Sequence, residues 1–195
     1  MEYRVIKMDS FTPATAIKPK DLQKNTEALK ELLGYLDKPP RTVLDIRYGL
    51  GGWAKLVRKT YSKAKYLGYE ADRETYRTAW KDKGVKLVNS VFPLCETKEV
   101  DLLLADFNTL TILKRGELDN VLASVRCDAV IFTDVCCSKI HLNYRSYGLR
   151  QANLSSYWQK FLIEGFYLVG FSKEHHVAST ALFQRKSPLQ GALVD

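Results

Sequence analysis

Three carboxylates and a cluster of glycines carry the chemistry legible in this chain. Thr42-Val43-Leu44-Asp45 is a short apolar run ending in an acid, followed by Ile46-Arg47-Tyr48-Gly49-Leu50-Gly51-Gly52-Trp53. Glycines at 49, 51 and 52 let the backbone turn sharply and come close to a ligand. A helix opening near Gly52 would aim its leading amides at whatever binds there. Asp45, at the end of its strand, can reach either the loop amides or a ligand amine. Glu70 closes a second apolar run, Tyr66-Leu67-Gly68-Tyr69, roughly 20 residues past the loop. A Rossmann-type sheet places a carboxylate there for ribose hydroxyls. Asp106 closes a further run, Val100-Asp101-Leu102-Leu103-Leu104-Ala105. Together these residues describe a site for a nucleotide-sized ligand.

The elements that must position them follow from the apolar periodicity. Strand-like runs occupy 42–45, 66–70, 86–91, 100–106 and 128–134, rich in Val, Ile and Leu. Helical spacing appears at Trp53, Leu56, Val57 and Tyr61, again over Arg73–Lys81, and again at Leu118, Val121, Leu122 and Val125. Near-continuous apolar strands alternating with helices predict a parallel sheet covered on both faces. Leu154–Ile163 reads as another helix. Phe166–Phe171 and Val177–Arg185 then form a hairpin across the polar turn 172–176, so the final strand runs antiparallel. Residues 1–40 read as an amino-terminal extension and 41–195 as the main domain. Within the extension, Asp21–Leu36 is an amphipathic helix begun near Pro19 and ended by Lys38-Pro39-Pro40. It packs on the sheet or serves as a lid on the substrate side.

In this pattern the chain resembles the class I, Rossmann-like S-adenosylmethionine-dependent methyltransferases, over about Arg41 to Lys186. The resemblance implies a three-layer α/β fold, with a mainly parallel seven-stranded sheet and a C-terminal antiparallel β-hairpin. It implies S-adenosyl-L-methionine as cofactor, its methionine part held by the loop with Asp45, Gly49 and Gly51. Glu70 then takes the ribose, and Ser90, between Asn89 and Val91, lies beside the adenine in place of the family's acid. Asp106 and Phe107 take the catalytic position, the first to hold a target amine and the second to stack on a base. The family's loop commonly reads Asp-x-Gly-x-Gly-x-Gly, and here Arg47 stands at the first glycine. A cation there either points away from the cofactor or meets its carboxylate. Asp106-Phe107-Asn108-Thr109 also lacks the prolines of the Asp-Pro-Pro-Tyr motif.

Charge is the guide to the substrate. Thirty Lys and Arg against 22 Asp and Glu give a formal net charge of +8, which favours a polyanion, RNA or DNA. Basic residues with interleaved aromatics recur at Lys55–Tyr66 and at Lys139–Arg150. In the second segment Tyr144 and Tyr147 could stack on bases while Lys139, Arg145 and Arg150 hold phosphates. The other reading of both segments is a solvated face.

The remaining polar residues narrow the choice. Cysteines at 95, 127, 136 and 137 show no disulfide-framework spacing, which fits reduced thiols in a cytoplasmic compartment. Cys136 or Cys137, just after the fifth strand, could act as a nucleophile as in pyrimidine C5 methyltransferases, or be structural. His175 and His176 fall in the hairpin turn, and no zinc-type spacing is present. No apolar stretch is long enough to span a membrane. Residues 52–54 exclude a phosphate-binding NTPase loop, because Gly52 is followed by Trp53-Ala54 rather than Lys-Ser or Lys-Thr. Two functional classes stand: a nucleic-acid methyltransferase, and a methyltransferase-like fold kept as a non-catalytic binding protein or accessory to a partner subunit.

Overall fold

The computed structural model describes residues 19–93, 97–105, 117–135, 165–173 and 178–185. Seven strands form one sheet: β1 (Thr42–Asp45), β2 (Lys65–Tyr69), β3 (Val85–Val88), β4 (Lys98–Ala105), β5 (Val125–Val135), β6 (Phe166–Lys173) and β7 (Ala178–Arg185). Their spatial order is β3-β2-β1-β4-β5-β7-β6. β1 to β5 pair in parallel, and β7 lies antiparallel between β5 and β6. The expected hairpin is therefore present, with its second strand on the inside.

Alternation along the strands explains why the runs read as continuously apolar. Val43, Leu102, Leu104, Ala129, Ile131 and Leu182 point to one face of the sheet. Leu44, Leu103, Val130, Phe132, Ala181 and Phe183 point to the other. Helices α1 (Pro19–Leu33) and α2 (Gly52–Thr60) cover the first face through Leu29, Leu32 and Leu33 and through Trp53, Ala54 and Val57. On the second face the later helix α4 (Glu117–Ser124) contributes Val121 and Leu122, and Phe132 stacks on Phe183 at 5.7 Å between ring centres. Each buried Leu, Ile or Phe contributes about 1.5–3 kcal/mol, so the two faces together hold the sheet. The amino-terminal helix thus contributes Leu29, Leu32 and Leu33 to the core on the first face.

Element ends differ from the sequence reading for local reasons. α1 stops at Leu33, where Gly34 breaks the helix, although Leu36 keeps the apolar period and still joins the core. The Tyr61 hydroxyl donates to the Leu33 carbonyl at 2.7 Å, satisfying one of the acceptors left open at that helix end. α3 (Arg73–Thr78) is shorter than the expected 73–81. Asp72 caps its start by accepting from the Thr75 N–H at 2.7 Å, and that bond holds the Asp72 carboxyl below its usual range. β3 ends at Val88, leaving Asn89, Ser90 and Val91 beyond the strand.

The order of the strands fixes where a ligand can sit. From β1 the chain crosses outward to β2 and β3, while β4 and β5 lie on its other side. That reversal opens a crevice at the carboxyl ends of β1 and β4. The glycine loop leaves β1 at this point.

Candidate cofactor site

Asp45 ends β1 fully buried, and its carboxylate supports the loop from beneath. Its Oδ1 accepts from the Arg47 N–H at 3.0 Å and its Oδ2 from the Tyr66 hydroxyl at 2.6 Å. A buried carboxylate requires such donors. Of the two partners the sequence left to Asp45, the loop amides and a ligand amine, the first is seen in the Arg47 N–H.

Gly49 and Gly51 have φ of +57° and +84°, left-handed conformations in which a side chain is strained. Gly51 caps α2, and among the described residues no side-chain cap bond satisfies the leading N–H groups of that helix. Those amides are suited to meet ligand oxygens. A Cβ on Gly49 or Gly52 would meet nothing within 4 Å, whereas one on Gly51 would strike the Tyr48 ring at 2.8 Å. The crest of the loop is thus open on one side and filled on the other.

Tyr48 does the filling. Its ring is buried against Gly51 and Gly68 and meets the Tyr66 ring edge-on, with centres 5.9 Å apart. Its hydroxyl donates to the Trp80 carbonyl at 2.6 Å, and its N–H donates to the Tyr69 carbonyl at 2.8 Å. Burial raises the hydroxyl above the ordinary phenol range, and the nearby Asp45 and Asp82 charges add to this. The Trp80 N–H donates in turn to the Leu50 carbonyl at 3.0 Å. One residue beyond α3 therefore brackets the loop from both sides of its peptide.

Glu70 follows β2 and is almost wholly buried. Its Oε2 accepts from the Gly49 N–H at 2.9 Å and its Oε1 from the Asp72 N–H at 2.8 Å. Each carboxylate oxygen has a second lone-pair direction with which to accept a ligand hydroxyl. Asn89 donates to the Glu70 carbonyl at 2.9 Å, tying the end of β3 to the end of β2. Ser90 donates its hydroxyl hydrogen to the Val91 carbonyl at 3.0 Å, so its oxygen is presented as an acceptor. Val91 is 60% exposed and Leu50 is 50% exposed, two large apolar side chains left in solvent at the end of β3 and on the loop. Such surfaces suit a flat, partly apolar ligand.

The structure thus joins Asp45, Gly49, Gly51 and Glu70 through one hydrogen-bonded loop, and places Ser90 just past the end of the neighbouring strand. Asp106, Phe107, Cys136, Cys137, His141, Lys139, Tyr144, Arg145, Tyr147, Arg150, His175 and His176 lie outside the described residues. Asp134 falls within β5, opposite Ser179 of β7. Cys127 is buried, and that burial pushes its thiol up to about 12, away from the thiolate form. Among the described residues no group of His, Cys, Asp and Glu could hold a metal ion, and no helix is long and apolar enough to cross a membrane. Sequence reasoning missed Tyr48 and Trp80. The available signal was Gly68, a glycine inside a strand, which marks a close approach by a neighbour.

No family model and no curated protein matches this sequence. Solved structures do match it in shape. The pyocyanin biosynthetic protein PhzM is similar over 85% of this chain and 56% of its own, with a TM-score of 0.61 and 15% identity. Human N-acetylserotonin methyltransferase, solved with S-adenosylmethionine, is similar over 86% and 56%, with a TM-score of 0.59 and 14% identity. A Listeria monocytogenes protein assigned as an S-adenosylmethionine-dependent methyltransferase is similar over 83% of this chain and 100% of its own, with a TM-score of 0.62 and 13% identity. The chain therefore spans little more than half of the first two and the whole of the third. The fold is that of the class I methyltransferases.

Proposed function

We propose that this chain binds S-adenosyl-L-methionine and transfers its methyl group. The observation that carries the proposal is the Glu70 carboxylate, which accepts from the Gly49 N–H at 2.9 Å where β1 and β2 end. One acid thereby fixes the glycine loop and stands ready for ribose hydroxyls. The open side of Gly49 and Gly52, the uncapped start of α2, the Ser90 acceptor and the exposed Val91 fit the remaining parts of the cofactor. When bound, the cofactor supplies an electrophilic sulfonium methyl, and transfer needs chiefly alignment of an acceptor with it. Asp106 and Phe107, next after β4, are the residues we assign to the acceptor.

For the acceptor we favour a nucleic acid, supported by the net charge of +8. A small-molecule acceptor is the second reading, favoured by solved neighbours named for pyocyanin biosynthesis and for N-acetylserotonin. Calorimetric titration with S-adenosylmethionine and with S-adenosylhomocysteine tests the cofactor assignment. Micromolar binding lost in Glu70→Ala supports it. Absence of heat from folded protein overturns it in favour of a non-catalytic binding role. Methyl-labelled cofactor incubated with RNA, DNA and small-molecule pools then separates the two acceptor classes.

A further inference from the structure

Residues 53–69 hold five basic side chains and no acid. Arg58, in the last turn of α2, organises them. Its Nη1 donates to the Ser62 carbonyl and, at 2.7 Å, to the Ala64 carbonyl, which fixes the turn into β2. Its Nε pairs with the Asp82 carboxylate at 3.2 Å, and its guanidinium lies against Gly84, where a Cβ would come within 2.2 Å of Cζ. The Tyr66 N–H donates to the Gly84 carbonyl at 3.0 Å, joining the same two segments through the backbone. One arginine thus gathers the end of α2, the start of β2 and the turn before β3.

The consequence is electrostatic. Asp82, beside Lys83 at this junction, is engaged by Arg58. Lys59, Lys63, Lys65 and Lys83 surround the junction, all exposed, and none has an ion pair among the described residues. They stand at the amino-terminal edge of the sheet, four residues along β2 from Tyr69, or about 13 Å from the cofactor loop's edge. No large apolar side chain is exposed in this group, since among the described residues the exposed ones are Tyr35, Leu50 and Val91. The Tyr61 hydroxyl is held by the Leu33 carbonyl. Such a surface offers point charges without wedges or stacking platforms, which suits repeated phosphodiesters and gives a lipid bilayer nothing to insert.

We propose that Lys59, Lys63, Lys65 and Lys83, gathered by Arg58, form a docking surface for the phosphate backbone of a nucleic acid. It holds the strand without reading its sequence, and it lies apart from the methyl-transfer edge. The surface is independent of the cofactor assignment. Fluorescence anisotropy with labelled mixed-sequence RNA and DNA 20-mers, without cofactor and over a series of KCl concentrations, tests it. Neutralising all four lysines to Gln should weaken binding about tenfold or more. It should also lower the slope of log affinity against log salt by about 3, four contacts at about 0.7 each on a single strand. The matching Lys→Arg protein, folded and charged, should bind as the parent does. The DNA and RNA arms report which polymer is preferred. Unchanged affinity and slope in the Gln protein would overturn the proposal, as would no binding by the parent. So would binding that depends instead on Lys139, Arg145 and Arg150, or equal capture by polyglutamate or by anionic phosphatidylglycerol vesicles.

Discussion

The Tyr48 ring occupies the space that a side chain on residue 68 would need: a Cβ built on Gly68 would lie 2.2 Å from Tyr48 Cδ2. A loop residue and a strand residue are thereby matched, one large and one absent. Gly68→Ala should destabilise the protein by about 1–3 kcal/mol through overpacking. Tyr48→Ala should cost about 3–5 kcal/mol through the cavity it leaves. The double variant should be more stable than the sum of the two costs, because the clash disappears with the ring. Urea denaturation of the four proteins measures this coupling, and simple additivity would count against the interlock.

Glu70 anchors the loop through the Gly49 N–H and the next turn through the Asp72 N–H. Glu70→Gln keeps one oxygen acceptor and should weaken S-adenosylmethionine binding about tenfold, or about 1.4 kcal/mol. Glu70→Ala removes both acceptors and should weaken it further. Calorimetry on proteins with parental circular dichroism checks the order, and equal affinity in all three would remove Glu70 from the site.

Asp45 is expected to act on stability before affinity. Its partners include the Arg47 N–H and the Tyr66 hydroxyl. Tyr66→Phe removes one donor from this buried carboxylate and should cost about 1.5–3 kcal/mol; Asp45→Asn should cost a similar amount. If Asp45→Asn kept full stability yet lost cofactor binding, Asp45 would be a ligand contact instead.

Asp101 gives the fold a pH dependence. Its Oδ2 accepts from the Arg41 N–H, the Thr42 N–H and the Thr42 hydroxyl, each at 2.8 Å, and so joins the start of β1 to the middle of β4. Partial burial pushes its carboxyl up, but these hydrogen bonds outweigh it and hold the group below the ordinary 3.8. A depressed folded-state value means the stabilisation is present above the unfolded value and is lost as pH falls through the folded one. Urea midpoints of the parent should therefore drop between pH 5 and pH 2. Asp101→Asn should start about 1 kcal/mol lower and show a shallower acid limb.

Much of this architecture was legible because burial on both faces leaves its mark on every strand position. The runs at 42–45, 66–70, 100–106 and 128–134 correspond to β1, β2, β4 and β5 with small shifts at their ends. β3 was overrun because Val91 looks like a strand residue, although Val88 ends the pairing with Tyr69. Glu70 was legible by its distance from the glycines. Tyr48 was not, since an aromatic between two loop residues carries no sign of whether it faces solvent or folds beneath the backbone. Arg47 and Tyr48 both depart from a small-residue loop, and Tyr48 is accommodated by the missing side chain at Gly68.

The order β5-β7-β6 also sets a timetable for the chain as it leaves the ribosome. β6 is synthesised before β7, yet among the described residues it pairs with the sheet through β7 alone, in the ladder running from Phe166–Arg185 to Lys173–Ser179. Until residues 178–185 emerge, the edge of β5 is an open template and β6 has nowhere to add. A nascent chain arrested between the two would expose an unpaired β5, the state most open to chaperones and to mispairing with a second copy.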